Sequence, residues 1–270
     1  MDRRFEARKQ ALLRECVVRA IVFHGIEERL MQFVEPFLKC FARREQKDHA
    51  RTYCSGLLSD LPRKNTESIA YRHDQGRKNL QNFIGQAEWD HVPMLDELAR
   101  QVAAELGEED GVLVLDPSAF PKKGKGSVGV ERQWCGRLGK VENCQVGVFL
   151  GYVSNKGHTL VDERLYLPQG WARSQKRREK CRVPEGVRFR TSPQLGLEMV
   201  KACGNVLPHR WVVADAEFGR PYRFRKGLEK MGERYMLEIP SNLLVRDLAM
   251  APPRKKKGRG RARKAPYQRV

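Results

Sequence analysis

Asp116 and Asp215 are the residues whose surroundings best suit chemistry. Each closes a short apolar run, Gly111-Val112-Leu113-Val114-Leu115-Asp116 and Trp211-Val212-Val213-Ala214-Asp215. Runs rich in β-branched residues and bounded by polar turns read as buried strands. Many metal-dependent phosphoryl-transfer sites are built from a buried strand with a carboxylate at its C-terminal end. Two such aspartates on neighbouring strands can share a pair of divalent cations, ~3.5–4 Å apart, and act on a phosphodiester. Taken alone, Asp116 before Pro117 also reads as a turn residue, and Asp215 as a helix N-cap.

Composition narrows the partner. The chain of 270 residues carries 52 Lys+Arg against 33 Asp+Glu, a formal net charge of +19. Such an excess calls for a polyanion, either nucleic acid or an anionic membrane. No apolar run approaches the ~20 residues of a membrane span. Met1-Asp2-Arg3-Arg4 opens no signal peptide. The expectation is a cytoplasmic protein, nucleoid-associated, with no membrane and with nucleic acid as partner. The cysteines are 7 in number with no CxxC pair, so neither a disulfide framework nor a zinc finger is expected. The histidines show no HExxH spacing.

The elements that must position the aspartates follow from periodicity. Residues 1–108 read as a helical N-terminal domain. Leu30, Phe33, Val34, Phe37, Leu38 and Phe41 mark one apolar helix face, and Trp89, Leu95, Leu98, Val102 and Leu106 another. Between them Asn65 is expected to cap a helix, next to a basic cluster that includes Arg63 and Lys64. That cluster reads either as a DNA-binding module or as a solvated face. The polar break at 107–111 marks a domain boundary. Residues 109–247 then read as strands at 113–115, 144–153 and 158–167, a helix from Ser192-Pro193, a strand at 211–214, a helix at 221–231 and a strand at 234–239. This order implies an α/β fold, a mixed sheet flanked by helices of the ribonuclease-H-like kind. Residues 248–270 read as a basic, disordered tail, dense in Lys and Arg from Arg254 to Lys264.

Several boxes are more specific. Asp116-Pro117-Ser118-Ala119-Phe120-Pro121-Lys122-Lys123-Gly124 continues through Gln133-Trp134-Cys135-Gly136 to Asn143-Cys144-Gln145-Val146-Gly147. Val183-Pro184-Glu185-Gly186-Val187 and Ala214-Asp215-Ala216-Glu217-Phe218-Gly219-Arg220 follow. Together they resemble the DDE-type transposases of bacterial insertion sequences, in particular the insertion-sequence seven-oh-one family, whose first aspartate opens a D-x-(S/T)-x-F-P-K-K-G box. The resemblance runs from about residue 25 to 247.

By that resemblance Asp116 and Asp215 are the first two catalytic, metal-binding carboxylates, served by Mg²⁺ (or Mn²⁺). The implied partner is double-stranded DNA at the element's terminal inverted repeats, bound by a homodimer on paired ends. The family's third carboxylate is a Glu on a later helix. Neither Glu217 nor Glu238 matches its position, so the third acidic residue is unassigned, and the chain is expected to be a C-terminally incomplete transposase. The candidate DNA contacts are Lys122, Lys123 and Lys125 in the loop after Asp116, with Arg132 and Trp134 beyond it. Arg177 and Arg178 in a second basic cluster, and Arg63 and Lys64, complete the set. Two other readings stay open at this point: a catalytically dead DNA-binding remnant that occupies element ends, and a ribonuclease-H-like host nuclease.

Overall fold

A computed structural model describes residues 25–242, together with 244–245 and 268–269. The basic run 254–264 lies outside the described residues. The chain divides into two compact units, residues 1–97 and 98–270.

The first unit is helical: α1 (Ile26–Leu38), α2 (Arg44–Leu58), α3 (Thr66–Arg72), α4 (Arg77–Gly85) and the start of α5 (Val92–Leu106). Its core joins Val34 and Leu38 of α1 to Ile69 and Ala70 of α3 and Leu80 and Phe83 of α4. Asn65 caps α3 as expected, its side chain accepting from the Ser68 N–H at 2.8 Å. Gly56 permits the close approach of α2 and α3, because a Cβ there would run into the Ile69 side chain. Trp89 is not helical. It lies before α5, donates its indole N–H to the Phe83 carbonyl at 3.0 Å, and packs on Phe41 and Phe83. An aromatic at helical spacing is there a loop residue closing the core.

In the second unit, Leu98, Ala103 and Leu106 of α5 pack against the sheet's core, which includes Val102 itself. The strands are β1 (Val112–Pro121), β2 (Glu131–Cys135), β3 (Lys140–Ser154), β4 (Gly157–Leu165), β5 (Trp211–Ala214) and β6 (Tyr235–Leu237). They form a six-stranded mixed sheet of order β2-β3-β1-β5-β6, with β4 also paired to β3. β1 is antiparallel to β3 and parallel to β5, and β5 is parallel to β6. This is the ribonuclease-H-like arrangement, with β2 as an addition. The polar alternation of Glu131 to Cys135 did not read as a strand. It forms one because β3 extends to Lys140 and offers it a partner.

β1 alternates from Val112 to Asp116. Leu113 and Leu115 are buried, while Val114 is half-buried and Asp116 exposed. The buried face meets α5, α8 (Ser192–Cys203) and α10 (Tyr222–Met231), burying Met199, Phe224 and Leu228. Each fully buried side chain of this size stabilises the fold by roughly 1.5–3 kcal/mol. Short helices α6 (Gln169–Arg173), α7 (Gln175–Lys180) and α9 (Ala216–Gly219) complete the unit.

Candidate active site

The parallel register of β1 and β5 sets Leu115 against Ala214, so Asp116 and Asp215 come next to each other as that pairing stops. The register of β5 and β6 sets Ala214 against Leu237, which places Glu238 one step beyond, its N–H donating to the Ala214 carbonyl at 3.0 Å. All three acids line one open cleft of about 640 Å³, floored by Val114, Val213 and Met236. The cleft opens on the sheet face opposite the helices. A second cleft of about 680 Å³ begins at Asp116 and runs over Phe120, Phe149, Val153 and Leu160.

Two glycines make the arrangement possible. At Gly196 of α8 a Cβ would press on Phe218 and Leu115, the residues beneath the two aspartates. At Gly219 a Cβ would collide with the Glu238 carbonyl, so α9 can seat against the end of β6 only without a side chain there. Asp215 is the N-cap of α9 and accepts from the Glu217 N–H at 3.0 Å. A capping role and a place in the cleft are thus compatible in one residue.

The electrostatics favour a cation. Asp116 stands at the cleft's rim, yet partial burial raises its pKa above the usual carboxylate value, and the charge of Asp215 raises it further. Two carboxylates that repel one another, with room before them, suit a hard cation that takes one or two protein carboxylates and fills its other positions with water and phosphate oxygens. Among the described residues no set of three His, Cys, Asp or Glu side chains converges closely enough to hold a metal ion. The donor set that fits is Asp116 with Asp215. Glu217 belongs elsewhere: it does not line the cleft, and its charge, after burial, raises the pKa of Tyr166.

Comparison with known proteins gives the family. The family described as DDE superfamily endonuclease matches residues 36–269. The chain belongs to that family. It is 27% identical over 194 residues to a probable transposase for insertion sequence element IS701 from Microchaete diplosiphon, covering 70% of this chain and 48% of that one. The chain therefore spans about half the length of the curated relative it matches. A solved structure, a pre-cleavage Mos1 transpososome, matches at 10% identity over 72% of this chain and 60% of that chain, with a TM-score of 0.18.

In this DDE superfamily chain the remaining candidate residues fall into different settings. β1 does not end at Asp116 but runs on to Pro121 against β3. Six further residues at about 3.3 Å each put Lys122 roughly 20 Å from Asp116. The basic loop is therefore adjacent to the aspartate in sequence but not in space. Asn143, which sequence reasoning passed over, pins that loop by donating to the carbonyls of Lys122 at 2.5 Å and Gly124 at 3.0 Å. Gln145 and Gln133 hold its far side through the carbonyls of Val128 and Gly129. Lys122, Lys123 and Lys125 stay exposed. Arg132 and Trp134 share the exposed face of β2, and Trp134 is 63% exposed.

Arg177 and Arg178 are half-buried and also make internal contacts. Arg177 lies over the buried Trp171 ring, 4.0 Å from its centroid, and donates to the Val130 carbonyl. Arg178 donates to the carbonyls of Val187 and Pro184 at 2.8 Å, tying down the loop before α8. Arg63 and Lys64 are exposed in the turn before α3. Among the described residues no helix is long and apolar enough to cross a membrane.

Proposed function

We propose that this chain is a transposase-type DNA endonuclease and strand transferase that acts on the double-stranded ends of an insertion sequence. The observation that supports the reading most is the side-by-side placement of Asp116 and Asp215 in an open cleft of a chain that belongs to the DDE superfamily endonuclease family. Asp116 and Asp215 would hold Mg²⁺ or Mn²⁺, which when bound activates the attacking oxygen and stabilises the leaving one in phosphoryl transfer. The chain's own groups supply position and charge. Asp116 is held within β1 where its pairing with β5 stops, Asp215 follows the end of β5 with its cap orienting the side chain, and Glu238 adds a carboxylate to the cleft wall.

DNA positioning falls to the exposed cations. A strand of DNA advances 3.4 Å per phosphate, so Lys122, roughly 20 Å from Asp116 along β1, suits a phosphate some six nucleotides from the bond being broken, and Lys123 and Lys125 add charge in the loop that follows. Arg132 and the exposed Trp134 extend that surface, with Trp134 available to stack on a base. Arg63 and Lys64 serve the first unit. A homodimer on paired ends and action in the bacterial cytoplasm complete the proposal.

The test is Mg²⁺-dependent nicking of a duplex that carries the element's terminal repeats, by the chain as it stands. Nicking that disappears in Asp116→Ala and in Asp215→Ala supports the reading. Metal-independent end binding, without nicking and unchanged in Asp116→Ala, would replace it with a purely DNA-binding role. Preferential cleavage of RNA–DNA hybrids would replace it with a host nuclease.

A further inference from the structure

The box around Asp215 ends on Arg220, a residue that takes no part in the acid cleft. Packing fixes its place. Asp215 starts α9, and Gly219 at the far end of that short helix seats against the Glu238 backbone, so α9 crosses the end of β6. Phe218 of α9 and Phe224 of α10 are buried and meet edge to face, with ring centroids 5.4 Å apart. That contact locks the corner between the two helices. The Arg225 guanidinium ties it further by donating to the carbonyls of Gly219 and of Arg220, the latter at 3.1 Å. The corner is a rigid mount beside the carboxylates.

What the mount presents is positive. Arg220, Tyr222 and Arg223 are exposed, Tyr222 at 66%. Neither the Arg220 nor the Arg223 side chain makes a hydrogen bond or ion pair with a described residue. Glu217 stands three residues before Arg220, a spacing at which helical charges ordinarily pair, yet the two do not. By contrast, Lys226 of α10 is paired with Glu229 at 3.0 Å. The first turn of α10 carries no acid. Arginine's planar fork of donors matches a phosphate, and an exposed tyrosine ring offers its face to a base. Arg220 follows Asp215 by five residues, about 7.5 Å along a helix axis at 1.5 Å per residue. A DNA strand advances about 3.4 Å per phosphate. The Arg220 guanidinium is therefore within reach of the first or second phosphate beyond the one held over the aspartates.

We infer that Arg220, with Arg223, grips the phosphate one or two nucleotides from the bond being broken, while Tyr222 stacks on the adjoining base. This role rests on the DNA-directed reading above and deepens it. Lys122 holds the strand at a distance, whereas Arg220 sets the scissile phosphate against Asp116 and Asp215.

The experiment is Mg²⁺-dependent nicking of the terminal-repeat duplex by the full chain, on a series of substrates in which one phosphate at a time near the cut is a neutral methylphosphonate. Wild type is expected to slow when the first or second phosphate from the cut is neutral. Arg220→Ala is expected to nick the all-phosphate duplex about 10- to 150-fold more slowly, to be indifferent to that one methylphosphonate, and to unfold at the wild-type temperature. Arg220→Lys is expected to recover part of the rate. Arg225→Ala, which weakens the mount rather than the contact, is expected to unfold at a lower temperature while staying sensitive to the neutral phosphate. An Arg220→Ala protein that nicks at the wild-type rate, or that keeps the wild-type response to every methylphosphonate, overturns the inference and leaves the nuclease reading intact. If wild type binds the repeats without nicking, the nuclease reading falls, and affinity for the same substrate series decides the Arg220 contact by the same loss of response. A wild type that binds no duplex at all removes both.

Discussion

Gly219 of α9 lies directly against the backbone carbonyl of Glu238, with no space for a methyl group between them. Through this contact the helix capped by Asp215 rests on the end of β6, so the two acids keep their separation across the cleft. Gly219→Ala must push α9 or the strand end aside. Overpacking of this kind costs about 1–3 kcal/mol. The expected result is a lower unfolding temperature together with a loss of nicking larger than the loss of folded protein. An unfolding temperature equal to wild type would show that the site does not depend on this close approach.

The carboxylate pair predicts a stability effect of definite sign. Asp116 has a raised pKa in the folded protein, by burial first and by Asp215 second, so the folded state holds this proton more tightly than the unfolded state. Its contribution to stability is then largest at low pH. It is lost as pH rises from the ordinary carboxylate value towards the raised one. Asp116→Asn removes this loss. At neutral pH without added metal it should be the more stable protein, by roughly a few tenths of a kcal/mol given the screening of exposed charges, and it should not nick DNA. Thermal unfolding at pH 4 and pH 7 measures the difference. A variant less stable than wild type at pH 7 contradicts the repulsion.

Glu238 and Glu217 separate by position. Glu238 lines the cleft with both aspartates, and Glu217 does not. Glu238→Gln is expected to lower metal-dependent nicking at least tenfold and to raise the Mg²⁺ concentration at half-maximal rate. Glu217→Gln is expected to do neither, since its contact with Asp215 is made by the backbone N–H. Equal effects from the two substitutions would show that the cleft wall at Glu238 is not used.

The loop after β1 makes a prediction about salt. Replacing Lys122, Lys123 and Lys125 together by Ala should flatten the log-log dependence of DNA affinity on salt by about 0.9 for each phosphate that is no longer neutralised. Asn143→Ala leaves the charges in place but frees the loop from its two carbonyl hydrogen bonds. It should weaken affinity with little change in slope. A slope unaffected by the triple substitution would exclude the loop from the DNA surface.

The strands that carry the two aspartates and the α/β order were legible in the sequence, since apolar runs between polar breaks report burial directly. Asn65 as a cap and Ser192-Pro193 as a helix start were legible for the same local reason. What the chain alone did not reveal is non-local. β2 is a polar segment that becomes a strand because β3 is long enough to pair with it. Trp89 has helical spacing but packs as a loop residue. Arg177 has the charge of a DNA contact, yet the Trp171 ring and the Val130 carbonyl engage it.

The sequence by itself determined which residues are apolar, which carry charge and which boxes place the chain among its relatives, because these depend on residue type and spacing alone. Only the tertiary structure decided that Asp116 neighbours Asp215, that Glu238 joins them, and that Lys122 stands roughly 20 Å away from the aspartate it follows. The reason is physical. Strand register and strand length arise from pairing between distant segments, and one extended strand separates sequence neighbours while parallel pairing unites residues far apart in the chain.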